Sequence, residues 1–179
     1  LLHKPIIGHV IDHLEAIDIE ETVVVTGFEG DAIKEYLKDR VQYATQDEQI
    51  GTGNAVASAR QLEGKVGSTL ILSGDSALVQ AETLNKIIEK HQGFDLTIVS
   101  AQVKDPRHYS RVIRDTQGFV AKVVEARDAT ELESTTKEIN LGVYCFNNEL
   151  LFKYLPEIKD DMREELNISD LVAVMNQHG

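Results

Sequence analysis

The sequence is poor in several residue types that each favour one class of protein. Its 179 residues include one cysteine, three prolines and no tryptophan. A lone cysteine, Cys145, cannot form an internal disulfide, which excludes a disulfide-stapled scaffold and makes a reducing, cytoplasmic setting the simplest expectation. We expect no signal peptide and no membrane partner, because the sequence contains no apolar run long enough to cross a bilayer.

Basic residues are also scarce. Lys and Arg number 18 against 30 Asp and Glu, which gives a formal net charge of −12. A general nucleic-acid-binding protein would present a basic face, so we expect no nucleic-acid partner. A small phosphate-bearing ligand is compatible with this charge, because a divalent metal ion can lie between carboxylates and phosphates. Apolar residues are plentiful, at 42%, which is enough for a sizeable core.

Strand-like and helix-like segments alternate in the first part of the chain. Short apolar runs predict strands at 22–27, 41–45, 68–75 and 95–103, and helical spacing of apolar residues predicts helices at 1–17, 31–40, 53–62 and 81–91. This alternation is typical of a doubly wound, mostly parallel sheet with helices on both faces.

The pattern changes after residue 103. The segments "YSRVIRD" and "GFVAKVVEARD" predict two antiparallel strands, and a further strand is expected at 137–146, followed by short helices near 148–155 and 168–177. The predicted fold is therefore one α/β domain over 1–179. It has a mixed, mostly parallel sheet with helices on both faces and an antiparallel appendage.

Two short motifs lie just past predicted strands, where α/β proteins bind ligands. In "QDEQIGTGNAV" (46–56), Gly51 and Gly53 flank Thr52 at the start of a predicted helix, so a ligand could approach the backbone and its unpaired N–H groups. The side-chain amide of Gln46 can donate and accept, which suits a nucleobase edge. Taken alone, this spacing fits an ordinary strand-to-helix turn better.

The second motif is the "SGD" that ends the strand predicted at 68–75. An apolar strand would deliver the carboxylate of Asp75 to the ligand-binding edge, where it could hold a metal ion against nucleotide phosphates. The alternative is a helix N-cap or a turn aspartate. Farther along, Glu125 and Asn140 each end or interrupt a strand and, taken alone, are typical of surface positions.

The same letters also support a hydrolase. "GDSAL" (74–78) resembles the nucleophile block of the GDSL esterases, with Ser76 as nucleophile. Asp105 and His108 supply the Asp-x-x-His pair that would activate it. Only about thirty residues separate the two blocks, whereas that family has them near opposite ends of its domain.

Read in order, the fragments resemble one family along nearly the whole chain. The blocks are "LLHK", "PIIGHVID", "TQDEQIGTGNAV", "LILSGDSAL", "VVEARDAT", "EINLGVYCF" and "ISDLV". The same order is found in the bacterial N-acetylglucosamine-1-phosphate uridyltransferases, the pyrophosphorylase half of a bifunctional uridyltransferase/acetyltransferase. The resemblance implies a Rossmann-like nucleotidyltransferase domain.

The resemblance also implies a reaction and a role for each matching residue. Transfer of a uridylyl group from UTP to N-acetylglucosamine 1-phosphate would give UDP-N-acetylglucosamine, a cell-wall precursor, and pyrophosphate, with Mg²⁺ as the cofactor. Asp75 would hold the catalytic Mg²⁺. The nucleotide would be bound by Gln46, Gly51 and Thr52, and the sugar by Ser110, Glu125, Asn140 and Ser169.

The chain departs from the family pattern in ways that carry expectations of their own. Ser110 stands where the family has a glycine whose backbone contacts the sugar, so a side chain is expected to project into the sugar site. The family's N-terminal strand and Gly-rich triphosphate loop would lie upstream of "LLHK", where the sequence opens, and they are expected to be either cut off or lost. A homologue that binds a UDP-sugar without turnover is therefore the second hypothesis. A homotrimer is expected only if a β-helix acetyltransferase domain follows.

Overall fold

The computed structural model describes residues 3–158 and 165–178. Helices and strands alternate through the first half of this part of the chain, as the sequence predicts. In chain order the elements are α1 (Ile6–Glu15), β1 (Val23–Thr26), α2 (Asp31–Leu37), β2 (Gln42–Thr45), α3 (Thr52–Ser58), β3 (Ser68–Ile71), α4 (Ala81–His91), β4 (Leu96–Gln102), β5 (Arg111–Arg114), β6 (Val120–Val124), α5 (Glu131–Ser134), β7 (Glu138–Asn147), α6 (Asn148–Tyr154) and α7 (Leu171–His178).

The strands form two sheets. β1 and β2 pair in parallel as a two-stranded sheet, with Val23 opposite Gln42. The second sheet has five strands and is organised around β7, whose Cys145 pairs with Leu70 of β3 on one side and with Thr97 of β4 on the other. The hairpin of β5 and β6 joins β7 on the same side as β3, farther toward its beginning.

The long strand β7 pairs with its neighbours in the antiparallel direction, whereas the sequence predicted a mostly parallel sheet. β3 and β4 are joined through helix α4 and run in the same direction, but β7 lies between them and is antiparallel to both. Parallel hydrogen bonding is therefore confined to β1 and β2 among the described residues. A mixed α/β fold with an antiparallel portion is confirmed, and its antiparallel portion is larger than the alternation of elements indicated.

Alternate residues of β7 face two different cores, as a strand's period of two requires. Val143 and Cys145 pack in one core with apolar residues of α1 and α4. Tyr144 and Phe146 pack in the other core with residues of α6 and α7. The prediction that helices cover both faces of the sheet is therefore confirmed for the sheet built on β7.

The predicted bounds agree best where periodicity is strong. The helix predicted at 81–91 is observed over Ala81–His91. The strand predicted at 68–75 stops at Ile71, and the chain then turns, with the backbone N–H of Ser76 donating to the carbonyl of Ser73 at 3.0 Å. α5 was not predicted, although Thr130 and Glu133 form a reciprocal capping box that its T-x-x-E sequence could have indicated.

Candidate active site

Gln46 directly follows Thr45, the last residue of β2 in the parallel sheet of β1 and β2. Its backbone N–H donates to the carbonyl of Thr26 at 2.8 Å, which ties the start of the loop to the last residue of β1. The side-chain Nε2 donates to the carbonyl of Gly51 and to Oδ1 of Asn54, both at 3.0 Å. Both amide hydrogens of Gln46 therefore bind acceptors within the same segment. The side chain is half-buried, whereas the glutamine of an ordinary turn would be exposed.

The glycines of this loop allow two segments of backbone to approach closely. Gly51 has φ 116° and ψ 172°, a conformation essentially restricted to glycine. The N–H of Gly53 donates to the carbonyl of Leu166 at 2.6 Å, and the N–H of Leu166 donates back to Ile50 at 2.6 Å. The close approach expected at this loop is observed, and its partner here is the chain itself.

Thr52 extends the same contact toward the 3-10 turn Ile168–Asp170. Its hydroxyl oxygen accepts a hydrogen bond from the N–H of Ile168 at 3.0 Å. The next residue, Ser169, is buried, and its turn packs against α3 and β6. The predicted nucleotide loop and one of the predicted sugar-binding residues are thereby held side by side.

Asp75 lies four residues beyond the end of β3, in an exposed turn. Its carbonyl accepts from the N–H of Ala77 at 2.8 Å, and its carboxylate forms no hydrogen bond or ion pair within 3–158 and 165–178. Helix α4 begins later, with Gln80 at its N-cap, so the helix-cap alternative for Asp75 is not observed.

The carboxylate of Asp75 suits a magnesium ion that is also bound by water and substrate phosphates. The described residues contain no group of three His, Cys, Asp or Glu side chains that could enclose a metal. Mg²⁺ is commonly bound by only one or two carboxylates, together with water and substrate phosphates. An exposed, unpaired Asp75 is suited to that shared coordination, and it is the residue that would hold the ion.

Three of the four predicted sugar-binding residues, Ser110, Glu125 and Asn140, lie near the first half of β7. The backbone N–H of Asn140 donates to the carbonyl of Ser110 at 2.9 Å, so these two residues are direct neighbours. Glu125 follows the last residue of β6, and its charge acts on the phenol of Tyr144 in β7. Ile71 of β3 pairs with Tyr144, and the chain then runs four residues on to Asp75 while β7 leads four residues back to Asn140. Asp75 therefore lies beyond β3 in the direction in which β7 runs back to Asn140.

Two residues at this end were missed by the sequence reasoning. One is Arg111, a buried arginine whose guanidinium donates to the carbonyls of Pro106, Arg107 and Tyr109. It braces the loop that leads into Ser110. The other is Tyr144, whose hydroxyl accepts from Asn140 Nδ2 at 2.6 Å. A period-two reading of "EINLGVYCF" places Asn140 and Tyr144 on one face and could have indicated their association.

The residues of the esterase hypothesis are not brought together. Within the described residues, no hydrogen bond or ion pair joins Ser76 to His108, and the carboxylate of Asp105 accepts instead from the backbone N–H of Arg107 at 3.2 Å. A serine nucleophile needs a base within hydrogen-bonding reach. The geometry therefore disfavours this alternative.

Two cavities of the molecule lie apart from most of these residues. A cavity of about 420 Å³ lies between the start of β4, the β5–β6 hairpin and α7, and another of about 290 Å³ lies beside α3 and the end of α6. Four of the predicted site residues, Gln46, Asp75, Glu125 and Asn140, do not line either cavity. No helix among the described residues is long and apolar enough to cross a membrane.

Comparison with known proteins decides the family. The sequence pattern of the nucleotidyl transferases matches residues 1–179. The chain belongs to this family. Among curated relatives it is 40% identical over 180 residues to the bifunctional protein GlmU of Enterococcus faecalis, and 38% identical over 180 residues to that of Halalkalibacterium halodurans. Each alignment covers 98% of this chain but 39% and 40% of the relative, so the chain spans about two fifths of their length.

Solved structures confirm the nucleotidyltransferase fold. A UDP-glucose pyrophosphorylase complexed with UDP-glucose superposes with a TM-score of 0.77 at 16% identity, covering 98% of this chain and 76% of that one. A putative glucose-1-phosphate thymidylyltransferase from Bacillus anthracis superposes with a TM-score of 0.75 at 20% identity, covering 98% and 71%. At these identities the similarity concerns the fold alone.

Proposed function

We propose that the chain is a sugar-1-phosphate nucleotidyltransferase domain that transfers a uridylyl group from UTP to N-acetylglucosamine 1-phosphate. The products are UDP-N-acetylglucosamine and pyrophosphate. Family membership and the similarity to GlmU proteins support the reaction class. The observation that carries the assignment is that Ser110, Asn140 and Glu125 lie side by side, just before β5, within β7 and just after β6, in the direction in which β3 leads to Asp75.

Gln46 supports uracil as the base. Both hydrogens of its amide are used within the loop, on Gly51 and Asn54, so Oε1 is the atom that remains for a ligand. A carbonyl oxygen accepts hydrogen bonds and cannot donate them. Uracil presents an N–H at N3, whereas cytosine presents an unprotonated nitrogen there. At the N3 position, the held orientation of Gln46 therefore matches uracil and not cytosine.

The proposed chemistry needs no covalent attachment to the protein. The sugar phosphate attacks the α-phosphorus directly, so the protein mainly orients the two substrates and offsets their charge. Asn140, Glu125 and Ser169 orient the sugar, and the Gly51–Thr52 segment lies beside the base. Asp75 holds Mg²⁺, which when bound neutralises phosphate charge. From the proposed nucleotide and sugar-phosphate substrates we infer a cytoplasmic reaction.

A second candidate is a protein that binds a UDP-sugar without turnover. It is favoured by one observation: the backbone N–H of Gly53, a donor that the loop could offer to a ligand, is bound to the carbonyl of Leu166. The two candidates share the same binding residues. They differ only in whether UTP and the sugar phosphate are converted to products.

Binding and turnover measurements together test the proposal. Calorimetric titration with UDP-N-acetylglucosamine, with and without Mg²⁺, is compared with UDP-glucose and CMP, and pyrophosphate release is followed with UTP and N-acetylglucosamine 1-phosphate. We expect selective binding that Mg²⁺ strengthens. Asp75→Asn is expected to abolish the Mg²⁺ effect, whereas Asp105→Asn, an exposed control, leaves it intact. Selective binding without pyrophosphate release would favour the second candidate, and absence of binding would reject both.

A further inference from the structure

Tyr144 combines a buried ring with a hydroxyl at the candidate sugar site. The residue is 2% exposed, and its ring stacks on Phe146 with the centroids 5.9 Å apart. On either side of β7 it pairs with Ile71 and Ile98. The ring is therefore fixed by the core and by both neighbouring strands. A hydroxyl carried on such a ring has little freedom to move.

An irregularity in β7 brings Asn140 within reach of that hydroxyl. Four residues of a regular strand span about 13 Å, too far for the two side chains to meet easily. Here the partners of Tyr144 and Asn140 on β4 are Ile98 and Ser100, which are only two residues apart. Between them on β7, Gly142 has φ 70°, a left-handed conformation that favours glycine. The bulged strand therefore shortens the separation.

The carboxamide of Asn140 is held at both of its ends. Nδ2 donates to the hydroxyl oxygen of Tyr144 at 2.6 Å, and Oδ1 accepts from the backbone N–H of Gly142 at 3.2 Å. These two bonds fix which end of the amide is nitrogen and which is oxygen. One Nδ2 hydrogen and one Oδ1 lone pair remain available for a ligand.

The phenol keeps its own proton. Burial raises the pKa of Tyr144 to about 12, and the charges of Glu125 and Asp170 act in the same direction. Because its oxygen already accepts from Asn140, the proton of the hydroxyl must be directed elsewhere. No second hydrogen-bond partner of this hydroxyl lies within residues 3–158 and 165–178. The hydroxyl thus has one donor to offer in the neighbourhood of Glu125 and Asn140.

We propose that Tyr144 is a positioning residue for sugar recognition, which orients the amide of Asn140 through its hydroxyl and the bulge at Gly142. The inference rests on the proposed function, because it assumes that Asn140 contacts the sugar. It adds a residue whose aromatic ring belongs to the core and whose single oxygen serves the site. Removing that oxygen changes the orientation of Asn140 while the packing of the ring is kept.

Tyr144→Phe tests this in the full-length protein. We expect KM for N-acetylglucosamine 1-phosphate to rise about threefold to tenfold, the effect of one neutral hydrogen bond, with KM for UTP unchanged. The matched control is Tyr154→Phe, which removes the same atom from another buried tyrosine, one that stacks on His178 at 4.4 Å and lines the 420 Å³ cavity. The control is expected to change neither KM.

A double variant separates positioning from general stability. If Tyr144 acts through Asn140, Tyr144→Phe adds little to the loss already caused by Asn140→Ala, because coupled residues are not additive. Additive losses, or equal changes in both KM values together with a lower Tm, would show a structural role only and would overturn the inference.

Binding distinguishes failure of this inference from failure of the proposed function. If the wild-type protein does not turn over, the dissociation constant for UDP-N-acetylglucosamine relative to UMP replaces the two KM values. A wild-type protein that binds neither ligand overturns the proposed function and this inference with it. A wild-type protein that binds the UDP-sugar selectively, with Tyr144→Phe identical to it, overturns this inference alone.

Discussion

Gly51 and Leu166 are in such close backbone contact that position 51 has no room for a side chain. A Cβ at this position would lie 2.4 Å from the carbonyl oxygen of Leu166 and 2.7 Å from its nitrogen. Those neighbours are backbone atoms, which cannot move aside as a flexible side chain could. The contact joins the loop after β2 to the segment before α7, two parts of the chain that are more than a hundred residues apart.

Gly51→Ala is expected to destabilise the protein more than a typical loop substitution. The conformation at φ 116° alone costs a non-glycine residue about 1–3 kcal/mol, and the collision with Leu166 adds to that cost. The free energy of unfolding in urea measures the loss. The matched control is Gly64→Ala, where φ is 78° but an added Cβ meets no atom within 4 Å. Equal losses in the two variants would contradict the close contact.

Arg111→Met is expected to lower the free energy of unfolding by about 2–3 kcal/mol, because it removes charged hydrogen bonds to three carbonyls. Those carbonyls belong to the loop before Ser110, so faster proteolytic cleavage of the loop is also expected. The control is Arg107→Met, which breaks an exposed pair with Asp105 and should cost less than about 1 kcal/mol. The prediction fails if the two variants are equally stable and equally resistant.

The single thiol is expected to be inert in the folded protein. Cys145 lies in β7 and is buried, and burial raises the pKa of its thiol to about 11. The thiolate is the reactive form, so at pH 8 a disulfide reagent should modify the native protein only through opening of the sheet. Full unfolding should release one reactive thiol per chain. Ser73→Cys, at an exposed position, is the positive control and should react at once.

Acid stability should depend on Glu133. Lys122 lies 2.7 Å from its carboxylate, and the N–H of Thr130 also donates to it, which together lower the pKa of Glu133 to about 2. Because the folded-state pKa lies below the ordinary value of 4.5, the stabilisation is complete above about pH 4.5 and is lost as the pH falls toward 2.

Glu133→Gln is therefore expected to lower stability at pH 7 and to have little effect at pH 2. Urea unfolding across this range measures the difference. Glu131→Gln removes the same charge from the same short helix, where no capping box involves it, and serves as the control. Parallel pH profiles for the two variants would argue against a special role for Glu133.

Local patterns predicted the helices and strands well but predicted their pairing less well. The amphipathic spacing of Leu84 and Ile87 was sufficient to place α4, because both residues face one core. The position of β7 between β3 and β4 depends on contacts between residues such as Leu70 and Cys145, far apart in sequence. No periodicity within either strand specifies that partner.

For the candidate site, too, local patterns predicted individual residues but not their partners. Asp75 and Gln46 could be placed just past strands because each follows a recognisable strand, β3 for Asp75 and β2 for Gln46. The partners of their neighbours could not be foreseen: Leu166 against Gly53, or the phenol of Tyr144 against Asn140. Tyr144 reads as a core residue in the sequence, and the positioning role proposed for it depends on a bulge that only the paired strands reveal. The assignments of Gln46, Gly51, Thr52, Asp75 and the sugar-binding residues stay predictions until ligands are measured.

The central place of β7 also has a consequence for the time course of folding. β3 and β4 have no hydrogen-bonded strand partner other than β7 among the described residues, so neither can complete its pairing until residues 138–147 are available. During synthesis, β1 and β2 can pair long before that point. Pairings of such long sequence separation slow folding, because the entropy of loop closure is lost before the contacts compensate. Incompletely synthesised chains should therefore expose the apolar strands β3 and β4. These are the segments for which binding by chaperones would matter most.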